Sequence, residues 1–143
     1  MDAEANKQLV ERMFSEIIPG KNPDAMDQLI SSKFAHHASF DEKPGVEGFK
    51  EILKGFQTAF PDLKIHVQKM VAEGDEVATR GYMTGTNKGS FMGIPATNKE
   101  VRIDYIDWWK FENGKAIENW VQMDIPGLMT QLGTSQSSMA ESH

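Results

Sequence analysis

The sequence predicts an α+β domain whose helices come first and then cover one side of a mostly antiparallel sheet. Three observations lead there: apolar residues recur at helical spacing from Leu9 to Phe60, they alternate with polar ones from Leu63 onward, and Asn113-Gly114 joins the last two alternating runs. In order, Leu9, Val10, Met13, Phe14, Ile17 and Ile18 form the apolar face of a long first helix that Gly20 stops. Pro23 opens a short second helix carrying Met26, Leu29 and Ile30, because proline is tolerated in a first turn. A brief strand over 34–40 leads to a turn at Lys43-Pro44-Gly45. Phe49, Ile52, Leu53, Phe56 and Phe60 then repeat at three and four, and Pro61 disfavours helix at Phe60, which ends the third helix.

From there the period is two. Leu63, Ile65 and Val67 alternate with Lys64, His66 and Gln68 as strand residues do, and Gly74-Asp75 turns the chain into a strand over 76–86. A loop rich in Gly, Pro and Asn spans 87–98, strands over 100–111 and 115–125 flank the Asn-Gly pair, and a short helix over 126–132 closes at Gly133. Residues 1–133 make one domain, and the polar tail 134–143 is expected to fray.

Composition narrows the function classes. A chain of 143 residues, 39% hydrophobic and 25% charged, buries one ordinary core. Its 21 acidic and 15 basic residues give a net charge of −6, with no dense Lys/Arg run to follow a phosphate backbone, so nucleic acid is not an expected partner. The absence of cysteine excludes disulfides, thiolate metal sites and thiol nucleophiles. No apolar run is long enough to span a bilayer and the acidic start does not read as a secretory signal, so the expected location is cytoplasmic, with no membrane partner. HExxH, EF-hand, phosphate-loop, GxSxG and dinucleotide patterns are all missing, and neither a metal nor a nucleotide cofactor is expected.

The hairpin allows side chains to be placed. If Asn113-Gly114 is a two-residue loop, Glu112 faces Lys115, and counting outward puts Ile103 opposite Asp124, Tyr105 opposite Gln122, Asp107 opposite Trp120 and Trp109 opposite Glu118. Paired side chains share a face, so this count gathers aromatic rings around carboxylates, with Ile106, Trp108, Val121 and Met123 on the other side. A bulge would reverse one strand against the other. A carboxylate among such rings loses hydration and titrates nearer neutrality, which makes Asp124 a candidate acid and base. Its place before Ile125-Pro126-Gly127 equally suits a helix cap. His36 and His37 are adjacent in a strand and point to opposite faces, so one of them at most lines a pocket.

Several stretches, taken in order, resemble the SnoaL-like polyketide cyclases, or ester cyclases, of the cone-shaped α+β barrel superfamily named after nuclear transport factor 2. They are Phe34-Ala35-His36-His37, Gly45-Val46-Glu47-Gly48-Phe49, Ala59-Phe60-Pro61-Asp62-Leu63 and Gly74-Asp75-Glu76-Val77-Ala78-Thr79-Arg80. Thr84-Gly85-Thr86, the run from Phe91 to Thr97, the run from Phe111 to Trp120, Asp124 and Gln131-Leu132-Gly133 complete the pattern. The resemblance implies a helix-capped, strongly curved sheet around a deep pocket, a homodimer or tetramer through the sheet, and no metal or organic cofactor. It implies an aspartate at the end of the last strand as general acid and base in an intramolecular aldol ring closure, and Asp124 occupies that position. A histidine of the first strand also belongs to such pockets, and the FxxH spacing favours His37. Catalysis is therefore expected of Asp124 and His37. Contact with a small hydrophobic or aromatic carbonyl ligand is expected of His36, Phe56, Tyr105, Asp107, Trp109, Trp120 and Gln122.

The chain departs from the family where histidine is common, at Asn87 and Asn119. Those departures motivate an alternative, a dimer that binds a small molecule without converting it. A lesser alternative is an epoxide-hydrolase-like site built on Arg102-x-Asp104, weakened because the hairpin count puts Asp104 and Asp124 on opposite faces.

Overall fold

The structure is a computed structural model that describes residues 2–38 and 45–133; the turn at Lys43-Pro44-Gly45 in part, the end of the first strand and the tail fall outside them. The Asp2 carboxylate accepts from Ala5 N–H at 2.7 Å and caps α1, Ala3–Arg12. The helix then widens into a π-helical turn, Met13–Ile17, which buries Met13, Phe14 and Ile17. After a 3-10 turn at Pro23–Ala25, α2 is only Met26–Leu29. Ile30 has extended geometry and pairs with Ala116, so β1, Ile30–Ala38, starts four residues before the expected Phe34. α3, Gly45–Ala59, turns Phe49, Leu53, Phe56 and Ala59 into the core.

The remaining elements are β2 (Lys64–Glu73), β3 (Glu76–Thr86), β4 (Glu100–Glu112), β5 (Lys115–Met123) and α4 (Ile125–Gln131). The sheet order is β1-β5-β4-β3-β2. β1 runs parallel to β5 and the other neighbours are antiparallel. β1 and β2 stay as free edges, so the curved sheet is not closed into a barrel. Register shifts in β1/β5, β2/β3 and β4/β5 supply bends that let the sheet wrap α1 and α3. Beside the β2 irregularity Gly81 is required by space: a Cβ there would lie 2.0 Å from the His66 carbonyl oxygen. No described helix is long and apolar enough to cross a membrane.

The Asn113-Gly114 loop has two residues, with φ of 53° and 78°, as a type I′ turn demands. Glu112 faces Lys115 and Phe111 faces Ala116, as the count requires. The next pair is Lys110 with Glu118, so Ile117 is an extra residue in β5. Beyond it Trp109 faces Asn119, Asp107 faces Val121 and Tyr105 faces Met123. β4 keeps its expected facing, with Ile103, Tyr105, Asp107 and Trp109 inside, while β5 is inverted. Asn119, Val121 and Met123 turn inward; Trp120 and Gln122 turn to solvent.

Candidate functional site

The concave face of β3, β4 and β5, roofed by α3 and the π-helical turn, encloses a cavity. Phe14, Ile18, Phe49, Ile52, Leu53 and Phe56 come from the helical side, and Met83, Tyr105, Asp107, Trp109, Asn119, Val121 and Met123 from the sheet, with His36 from β1. About 60 Å³ is open to the centre of a water molecule. At roughly 10 to 15 Å³ per water, that accommodates on the order of one aromatic ring. Leu63 and Ile65 complete the lining and, with Phe14, also line an outer groove bearing Lys21 and Lys64.

Asp107 is the carboxylate of this cavity and is 5% exposed. Period-two alternation in β4 brings it to the same face as Tyr105 and Trp109, and register with β3 sets it against Thr79. The Thr79 hydroxyl lies 2.6 Å from Asp107 Oδ1 and 3.1 Å from the Tyr105 hydroxyl oxygen. A hydroxyl carries one proton, so with Asp107 ionised Thr79 donates to the carboxylate and accepts from Tyr105. Trp109 Nε1 donates to Oδ2 at 2.9 Å. Burial pushes the carboxyl up to about 7, against the opposing hydrogen bonds from Thr79 and Trp109. Burial also pushes the Tyr105 phenol up to about 12, so it stays a neutral hydroxyl.

His36 is buried, with ring centroids 4.9 Å from Phe49 and 6.3 Å from Phe34. Asn119 is fully buried, and its Nδ2 donates to the Trp108 carbonyl at 3.1 Å. Among the described residues no three His, Asp or Glu side chains are grouped to hold a metal ion.

Of the residues expected at the site, His36, Phe56, Tyr105, Asp107 and Trp109 meet at this cavity. Four lie elsewhere. Asp124 is exposed and caps α4, its Oδ1 accepting from Gly127 N–H at 3.0 Å. His37 faces outward, 2.8 Å from Glu118 Oε2 and stacked on Trp120 at 5.4 Å between centroids. Trp120 and Gln122 are outside because the Ile117 bulge shifts them by one position. Arg102 pairs with Asp104 at 3.1 Å on the exposed face, and its guanidinium covers the Tyr82 ring at 3.8 Å. The residues of an epoxide-hydrolase-like site are thus outside the cavity as well.

Thr79 and Asn119 were not expected there. Thr79 sits at an inward position of β3, where the strand's alternation alone would have placed it; Asn119 depended on the bulge. Asn87, at a departure from the family, is fully buried and ties the following loop together, donating to Gly89 O at 2.8 Å and accepting from Thr97 N–H at 2.9 Å.

No curated protein matches the chain by sequence. Among solved structures, TsrD from Streptomyces laurentii is 27% identical over 93% of this chain and 98% of its own, with a TM-score of 0.81. AclR from Streptomyces galilaeus, provisionally described as a hydroxylase, is 26% identical over 92% of this chain and 98% of its own, with a TM-score of 0.81. IdmH from Streptomyces antibioticus, provisionally described as a polyketide cyclase, is 25% identical over 90% of this chain and 99% of its own, with a TM-score of 0.75. The family model for the SnoaL-like polyketide cyclase matches residues 8–132, and the chain belongs to that family.

Proposed function

We propose that this chain is a polyketide-cyclase-like enzyme in which Asp107 is the general acid and base of an aldol-type ring closure on a small hydrophobic carbonyl compound. The observation that carries this reading is one buried carboxyl, in a largely apolar cavity, that burial pushes up to about 7, where it can take and return a proton at neutral pH. Family membership supports cyclase-like chemistry.

In the step proposed, Asp107 takes a proton from the carbon beside one carbonyl. The C–H electron pair becomes the enolate, whose carbon attacks a second carbonyl carbon and forms the ring bond. The resulting alkoxide then takes the proton back from Asp107. Atoms and electrons balance within the substrate, and the product is its isomer. Thr79 and Trp109 fix the carboxylate, while Phe49, Phe56 and Trp109 hold the two carbonyls in attacking distance, where positioning lowers much of the barrier. His36, as the histidine of the cavity wall, takes the catalytic place expected of His37 and orients a carbonyl.

The deciding experiment compares Asp107→Asn with Asp124→Asn on linear polyketide methyl esters, following ring closure. The expected result is a loss of roughly a hundredfold or more for Asp107→Asn, the usual scale for removing a general base, and little change for Asp124→Asn. The reverse result would return the chemistry to Asp124. A ligand bound with no product from the wild type would support a binding protein.

The outer sheet face supports a homodimer. Ile106, Trp108 and Trp120 are 60%, 47% and 39% exposed on it, an apolar patch of the kind that marks an interface.

A further inference from the structure

We propose that the amide oxygen of Asn119 selects the ligand, accepting the proton of a neutral hydroxyl carried on a flat ring. This deepens the reading of the cavity as a substrate site and rests on it.

Asn119 is fully buried and lines the cavity, and its Nδ2 is committed to the Trp108 carbonyl. That bond fixes which end of the amide is which, since a carbonyl partner requires the NH₂ group. Oδ1 accepts no hydrogen bond from any described residue. A buried acceptor without a donor is costly, so the complementary occupant brings one. The other walls define the rest of that occupant. Phe49, Phe56 and Trp109 are aromatic and apolar, favouring a ring, and the volume suits one ring. Among the described residues no Lys or Arg lines the cavity, so an anionic group would find no fixed cation there.

Asn119 is diagonal to Asp107 across the β4–β5 pairing, because Asp107 faces Val121 and Trp109 faces Asn119. Such diagonal neighbours stand roughly 7 to 8 Å apart, so one ring can offer its hydroxyl to Asn119 and an adjacent carbon to Asp107. The hydroxyl of an enol or phenol is the group that fits.

Phenol and toluene test this, because they match in shape and differ by OH against CH₃. Dissociation constants are measured by titration of ¹⁵N-labelled protein at pH 6, with the Asn119 side-chain amide as reporter. Expected is phenol binding about tenfold or more tighter than toluene, the scale of leaving one buried acceptor unpaired, together with a shift of the Asn119 amide. In Asn119→Leu the order reverses and toluene is preferred, because an apolar wall favours the more hydrophobic ring. Equal affinities, a preference for toluene, or no phenol binding in the wild type would overturn the proposal. So would benzylamine binding more tightly than phenol, since the cavity would then be reading a cation. The measurement needs no turnover, so its failure is separable from failure of Asp107 as the acid and base.

Discussion

Trp109 donates its indole N–H to Asp107 Oδ2 from two positions along the same face of β4. One strand therefore supplies both the acid and a donor that restrains it. That bond favours the ionised carboxylate and works against burial. In Trp109→Phe the carboxyl rises further above 7, and the acidic limb of kcat/KM moves to higher pH. The profile should keep its shape, with the whole limb displaced; an unmoved limb would show that the titrating group is not Asp107.

Asp107 also makes stability depend on pH. Its folded value of about 7 lies above the ordinary 3.8, so the native state holds a proton that the unfolded chain has already lost. The sign follows: the contribution is fully present below pH 3.8 and is lost as pH rises through about 7. At 1.36 kcal/mol per unit the loss is about 4 kcal/mol. Asp107→Asn carries no charge and escapes it. Thermal or urea unfolding of the two proteins should show the variant gaining on the wild type between about pH 4 and pH 7, by a few kcal/mol in total, then holding level. A gap independent of pH would be inconsistent with a buried carboxyl that ionises near neutrality.

Asp124 contributes to stability through its cap. Asp124→Ala should cost about 1 kcal/mol, whereas Asp124→Asn, which can also cap, should cost a few tenths. Gly127 is part of the same device, since a Cβ there would sit 2.1 Å from Asp124 Oδ2. Gly127→Ala should therefore destroy the cap as well, and the double variant Asp124→Ala/Gly127→Ala should lose less than the sum of the two. Additive losses in that cycle would mean that the two residues act separately.

The outer face gives the remaining prediction. Trp108 Nε1 donates to Glu76 Oε1 at 2.8 Å, which tethers the indole to β3 on the face that carries Ile106 and Trp120. Sedimentation of the wild type at micromolar concentration should show a dimer, and Ile106→Lys with Trp108→Lys should give a folded monomer. A monomeric wild type would refute the interface.

How far the sequence could be read depended on whether a signal was local. The hairpin was legible because Asn113-Gly114 suits positive φ at two successive positions, and β4 was legible because polar and apolar residues alternate through all of it. β5 was misleading: Trp120 looks like an interior residue and Asn119 like a surface one, and each lies on the other side. No residue type announces the bulge, because Ile117 is an ordinary strand residue whose extra place emerges only from pairing with β4. The histidines inherit the same difficulty. Alternation allowed only one of His36 and His37 inside, but which one depends on how β1 docks on the shifted β5. Asp124 was balanced between cap and catalyst, and the Gly127 amide that it caps lies three residues ahead.

The bulge at Ile117 also bears on how such a cavity changes over generations. Loss of that one codon would leave the facing unchanged, since Glu118 already pairs with Lys110, whereas a slip that took Ile117 into the ladder opposite Lys110 would bring Glu118, Trp120 and Gln122 to the positions now held by Asn119, Val121 and Met123 and leave β4 untouched. One slip of register would thereby replace a whole wall at once, whereas substitution would have to alter each position in turn. Relatives that pair this strand without the bulge are the natural place to look for altered chemistry on an unaltered frame.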